Sequence, residues 1–175
     1  MHSYIERYEP LKLLDKGLDF PLTLVVAPPG SGKSVLLTQW QAHVINDDSF
    51  FENDSSRSNN HRSQQTGLIR IDLSASADNQ HNNNRIVFKK IIDGIKTLTP
   101  LWEASFFNLF SNESPVTDET LIEVLIEAFE QVDKKLVIIL DDFHYIKSLT
   151  SQAIFVDLIE RLPIHVHFVL SSRRY

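Results

Sequence analysis

Apolar residues fall along the chain in two alternating modes. Short continuous runs occur at Leu22-Thr23-Leu24-Val25-Val26, Leu68-Ile69-Arg70-Ile71-Asp72-Leu73, Leu136-Val137-Ile138-Ile139-Leu140 and from Ile164 to Leu170. Runs of this length suit parallel strands covered on both faces. Between them the apolar positions recur at helical spacing. From Tyr4 to Leu18 they are Ile5, Tyr8, Leu11 and Leu14, with Pro10 cutting the pattern. From Ser34 to Val44, Val35, Leu36, Gln39, Trp40 and His43 spread over the faces of a helix, with Trp40 read as core. Arg85 to Leu98 carries Ile86, Phe88, Ile91, Ile92 and Ile95, and Pro100 marks its end. Leu101 to Phe110 is aromatic-rich and reads as a further short helix. Thr117 is a good N-cap for a helix whose apolar stripe is Leu121, Leu125, Phe129 and Val132, with Asp118 and Glu119 favouring its dipole. A last helix spans Thr150 to Leu162, broken by Pro163. The alternation predicts an α/β fold, a four-stranded parallel sheet flanked by helices, with ligands at the carboxyl ends of the strands.

One tract departs from both modes. Asn46 to Gly67 consists mostly of Asn, Asp, Ser, Arg and Gln, with the Phe50-Phe51 pair as its main apolar content. It reads as a long surface insertion at positions 45–67, because so little burial cannot offset the entropy of ordering it. A partner-binding insertion anchored by the two phenylalanines is the alternative.

The junction between the first strand and the following helix carries the chemistry. It reads Ala27-Pro28-Pro29-Gly30-Ser31-Gly32-Lys33-Ser34, a phosphate-binding loop with alanine in place of the first glycine. Gly30 and Gly32 lack a Cβ, so the backbone can take φ > 0 and turn its N–H groups toward a phosphate. Lys33 supplies a point charge for β- and γ-phosphate oxygens, and Ser34 offers a hydroxyl to magnesium. The start of the helix adds its positive dipole. The expected nucleotide contacts are therefore Pro29, Gly30, Ser31, Gly32, Lys33, Ser34 and Val35.

A second half of such a site follows the third strand, which ends in Asp141-Asp142. The expectation is that this strand lies beside the first, so that its end delivers a carboxylate to the magnesium shell. Asp141 is assigned to the metal, and Asp142 to positioning or deprotonating the attacking water. The fourth strand ends in Ser171-Ser172-Arg173-Arg174. A cation there can sense the γ-phosphate and stabilise charge that appears on hydrolysis. Arg173 is the candidate and Arg174 the reserve, against the plainer reading of a solvated basic end. His144, just past the acidic pair, reads either as a turn residue or as a neighbour of the site. His165 and His167 alternate on one strand face, but no third metal ligand stands at a recognisable spacing.

Composition narrows the setting. The chain has 175 residues and a formal charge of −6, which argues against binding nucleic acid through a general basic surface. Without cysteine there is no disulfide, thiolate metal site or thiol nucleophile. The apolar runs are too short to span a bilayer and the N-terminus lacks signal-peptide form, so the expectation is a cytoplasmic domain without membrane contact. No Asn-Lys-x-Asp base-reading segment speaks for a GTPase, and no Arg-rich lid for a small-molecule kinase.

With these residues in view, the chain resembles the nucleotide-binding domain of STAND-class signal-transduction ATPases, in particular the large LuxR-type transcriptional regulators of the maltose-activator kind. The likeness rests on Leu24 to Ser34 followed by Gln39-Trp40, on Ile71-Asp72-Leu73, on Asp141-Asp142-Phe143-His144 and on Ser172-Arg173. The insertion is longer and more polar than the family's, and the second strand lacks a tryptophan often found there. The resemblance implies a P-loop NTPase domain truncated before its last strand and lid. It also implies continuation into sensor repeats and a DNA-binding helix-turn-helix beyond Tyr175. On this reading the domain binds ATP or ADP with Mg2+ and hydrolyses ATP slowly as the switch of a signal-responsive transcription regulator. Its partners would be its own downstream domains, DNA only through an absent C-terminal domain, and a second copy where nucleotide promotes self-association. A nucleotide-binding or protein-interaction module that does not hydrolyse is the alternative.

Overall fold

A computed structural model describes residues 8–46, 66–74, 84–99 and 116–173. The core of the polar insertion and the aromatic segment Leu101 to Phe110 lie outside the described residues, as does Arg174. The insertion's ends are shorter than its composition suggests, because Ile45 and Asn46 finish a helix and Gly67 opens a strand.

Element α1 (Tyr8–Gly17) begins just ahead of Pro10, where proline is tolerated because a first-turn N–H has no helical partner. It leads into β1 (Leu22–Val26), then α2 (Lys33–Asn46) and β2 (Gly67–Asp72). Helices α3 (Asn84–Leu98) and α4 (Asp118–Glu130) follow, then β3 (Leu136–Asp141), a 3₁₀ turn at Phe143–Tyr145, α5 (Leu149–Glu160) and β4 (Val166–Ser172). Thr117 caps α4 by accepting the Thr120 N–H, as its position in the sequence implies. Ser148 does the same for α5 through the Ser151 N–H.

The strands form one parallel sheet in the order β1-β4-β3-β2. This corrects one expectation: β3 is not beside β1, because β4 lies between them. The inner positions go to the strands that need cover on every side. Every residue of β3 is buried, as are Val166 to Ser171 of β4, whereas β1 at the edge leaves Leu24 and Val26 more than half exposed. Since all strands run the same way, the ends of β1, β2, β3 and β4 lie along a single edge of the sheet.

Two cores sandwich the sheet. On one face α3, α4 and α5 bury Phe88, Ile91, Leu125, Phe129 and Phe155 against Ile138, Leu140 and Phe168. The aromatic rings there meet edge to face, Phe88 with Phe155 at 5.3 Å and Phe129 with Phe168 at 6.3 Å. On the other face α1 and α2 bury Leu11, Leu14, Leu36, Leu37 and Trp40 against Val137, Ile139 and Val169. Trp40 is core as expected, and its indole N–H donates to Asp15 Oδ1 at 2.8 Å, tying α2 to α1. This second layer holds the start of α2 over the strand ends.

Candidate functional site

The segment from Ala27 to Gly32 is the turn between β1 and α2. Gly30 has φ +75° and Gly32 φ +83°, the left-handed values for which glycine is the suitable residue. A Cβ on Gly30 would meet no heavy atom within 4 Å, so the turn's outer side is open and only the backbone geometry requires glycine there. The first intrahelical bond of α2 runs from Leu36 N–H to Gly32 O at 2.9 Å. The amides of Lys33, Ser34 and Val35 therefore precede the helical ladder and face the loop end. Pro29 and Gly30 are exposed, Ser31, Gly32 and Val35 half-buried, and Ser34 exposed. Lys33 is buried and curls over the loop, its Nζ donating to Ala27 O at 2.7 Å and Pro28 O at 3.1 Å. Ala27 N–H donates to Ser172 O at 3.3 Å, which joins the loop to the end of β4.

Asp141 is the last residue of β3 and is 3% exposed. Its Oδ1 accepts from the Ser171 hydroxyl of β4 and, at 3.1 Å, from the Asp142 N–H. Its Oδ2 accepts from Arg70 Nη2 of β2 at 2.7 Å. Burial pushes this carboxyl's pKa up, but hydrogen bonds from Ser171, Arg70 and Ser34, with the charge of Arg70, outweigh burial and hold it below its ordinary value. Arg70 Nη2 also donates to the Ser34 carbonyl at 3.3 Å, so one guanidinium bridges the two residues assigned to magnesium although β4 separates their strands. A hydroxyl and a carboxylate are hard oxygen donors that fit magnesium.

Asp142 follows in the left-handed region, φ 60° and ψ 43°, and breaks the strand. Its N–H donates to Ser171 Oγ at 2.9 Å, so Ser171 braces both acidic residues. Its carboxylate lies 3.5 Å from Nδ1 of His144, which sits in the 3₁₀ turn with its side chain 7% exposed. Burial lowers the His144 pKa, the charge of Asp142 opposes this, and the cations Arg173, Lys33 and Lys147 reinforce it, for a net lowering. His144, just past β3, and Arg173, just past β4, lie at the same edge of the sheet as Lys33. Arg173 itself lies one residue past β4, half-buried.

Sequence reasoning missed Arg70 and Ser171. Arg70 is the one charged residue inside the apolar run of β2 before its closing Asp72, and a cation in that position must find a carboxylate. Ser171 was visible only as the first residue of the polar end of the fourth strand, with no sign of its acidic partner. His165 and His167 turn their rings to different backbone carbonyls, of Phe129 and Phe20 respectively. Among the described residues no group of three potential ligands could hold a metal, and no helix is long and apolar enough to cross a membrane.

A parallel sheet with helices on both faces, and a glycine-bearing loop leading from β1 into α2, is an α/β arrangement that P-loop NTPases share. No protein-family profile matches the chain. Among curated proteins it is similar to the serine/threonine-protein kinase PknK of Mycobacterium tuberculosis, 21% identical over 170 residues covering 97% of this chain, and to PknK of Mycobacterium bovis at the same identity. The chain spans 13% of the length of these relatives. Among solved structures it is similar to a chain in Drosophila ORC bound to DNA, with a TM-score of 0.54 and 14% identity over 95% of this chain and 75% of that one. A chain in Drosophila ORC bound to AT-rich DNA and Cdc6 gives a TM-score of 0.54 and 12% identity, over 95% of this chain and 46% of that chain. At such identities the likeness concerns the fold.

Proposed function

We propose that this domain binds ATP or ADP together with Mg2+ and hydrolyses ATP slowly, serving as the nucleotide switch of a signal-responsive transcriptional regulator. One observation carries the nucleotide reading: a positive-φ glycine loop with Lys33 and Ser34 at the start of α2, joined to the buried carboxylate at the end of β3 by the Arg70 guanidinium, which bonds both Ser34 O and Asp141 Oδ2. The regulator role rests on the resemblance of Leu24 to Ser34, of Gln39-Trp40 and of Asp141 to His144 to STAND-class ATPases.

In this reading the amides of Gly30 to Val35 cradle the phosphates, and Lys33 leaves the Ala27 and Pro28 carbonyls to bond the β- and γ-oxygens. Ser34 and Asp141 hold magnesium, which neutralises phosphate charge when bound. Asp142 orients a water for attack on the γ-phosphorus and accepts its proton as the bond to the ADP oxygen breaks. Arg173, beyond the end of β4, stabilises charge on the departing phosphate. A switch also requires that ATP and ADP contact two states differently, which downstream domains of a longer protein, or a second copy, would read.

The test is equilibrium binding of labelled ATP, ADP and GTP with magnesium to the wild type and to Lys33→Ala. The expected result is adenine-selective binding that weakens on the order of a hundredfold in the variant, the loss of one charge-assisted phosphate contact. Equal binding by the two proteins, or none by either, overturns the reading.

A further inference from the structure

Arg70 reaches the centre of the candidate metal site from a strand that is not adjacent to the loop. Its guanidinium is held on three sides. Nη2 donates to Asp141 Oδ2 at 2.7 Å and to the Ser34 carbonyl at 3.3 Å, and Nη1 donates to Thr38 Oγ1 at 2.8 Å. Thr38 is itself fixed, its hydroxyl donating to Ser34 O at 2.8 Å. The arginine therefore touches both residues assigned to magnesium, one through its carboxylate and the other through its main chain. Its side chain remains 22% exposed while that of Asp141 is 4% exposed, so the arginine is the more solvent-accessible partner of the pair.

We infer that Arg70 is an internal counter-cation that competes with the divalent metal for Asp141 and so sets how much magnesium the site requires. The inference rests on the nucleotide reading above for its biological use, but its physics concerns the carboxylate alone. Asp141 Oδ1 is committed to Ser171 and to the Asp142 N–H, which leaves Oδ2 for a cation, and Arg70 holds that oxygen. A divalent ion bound to Oδ2 stands within a few ångströms of the guanidinium, and the two repel strongly unless the arginine withdraws. Because Arg70 is tethered to α2 through Thr38 and Ser34, it competes at the high effective concentration of an intramolecular ligand. A phosphate-bearing ligand shifts the balance by adding oxygen donors for the metal and an acceptor for the released guanidinium. The site then takes up metal with the triphosphate in preference to metal alone.

A purely structural role, neutralising a buried carboxylate, predicts no effect on metal affinity in a folded variant. The two roles separate in a titration of Mn2+ alone, followed by electron paramagnetic resonance, against the full chain as wild type, Arg70→Gln and Arg70→Met. Gln keeps hydrogen-bonding capacity toward Thr38 and Ser34 without the charge. The expected result is Mn2+ binding about tenfold tighter in both variants than in wild type, with the gain abolished when Asp141→Asn is added. Equal affinity in wild type and folded variants, or no binding in any, overturns the proposal. A second readout uses the wild type only: the Arg70 guanidinium NMR signals change as diamagnetic Mg2+ is added with ATP, and unchanged signals at metal saturation overturn the proposal where the variants do not fold. Arg70-dependent Mn2+ binding in a chain that binds no nucleotide supports the competition and overturns the nucleotide reading.

Discussion

The phosphate-type loop and the carboxylate cluster face each other across the sheet edge, yet they are built in opposite ways. The loop is eight consecutive residues, Ala27 to Ser34, whose shape follows from two glycines and the start of a helix. Its cation bonds carbonyls only five and six positions away. The cluster is assembled from β2, β3 and β4: Arg70 and Asp141 are separated by 71 positions, and Ser171 and Asp141 by 30. The loop is largely open to solvent, whereas Asp141 and Ser171 are buried. The difference teaches that chemistry on the loop can be altered with little cost to the fold, while the cluster couples chemistry to folding.

The sharpest contrast is in stability. Asp141→Ala leaves the Arg70 charge without its carboxylate and Ser171 without its acceptor. Urea unfolding is expected to show a loss of about 3 kcal/mol, the range for breaking a largely buried ion pair. Lys33→Ala, which removes bonds to two loop carbonyls, is expected to cost less than about 1 kcal/mol in the same measurement. Similar losses in the two variants would erase the distinction.

A smaller effect tests the junction of the two regions. Asp142 holds a left-handed conformation, so Asp142→Ala is expected to destabilise by about 1 kcal/mol and Asp142→Gly to be close to neutral. Equal midpoints in thermal unfolding would show that the conformation carries no strain.

The smallest effect lies away from both regions and supplies a baseline. His167 is 1% exposed on β4, and its Nδ1 hydrogen donates to the Phe20 carbonyl. Burial lowers its pKa from 6.5, the Phe20 bond opposes this, and Lys135 adds to the lowering. The unfolded chain then takes up a proton before the native one. Stability from this residue is full above pH 6.5 and falls as the pH drops below that value toward the native pKa. His167→Asn, which can keep the bond to Phe20, is expected to flatten the fall below pH 6.5 in pH-dependent urea unfolding. An unchanged slope would assign the acid sensitivity to other groups.

Most elements were legible in the residue pattern because burial on both faces writes continuous apolar runs and amphipathic helices write a period. Leu136 to Leu140 and the stripe Leu121, Leu125, Phe129 and Val132 are buried, as that pattern implies. Strand neighbours were not legible. A parallel crossover allows many orders, so nothing near Val26 or Asp141 told that β4 would stand between their strands. The same insertion hid Ser171, whose partner is known only once β4 lies against β3. Arg70 left a trace as a charge inside an apolar strand, but its carboxylate could not be named without the sheet.

The sequence by itself determined the loop and its glycine geometry, the α/β alternation and the acidic end of the third strand. Each depends on local sterics or on periodicity within a few residues. Only the tertiary structure decided the sheet order, the bracing of Asp141 and Asp142 by Ser171, and the cation that Asp141 holds. Those contacts join residues distant in the chain, and their energies depend on burial and separation that no local pattern encodes.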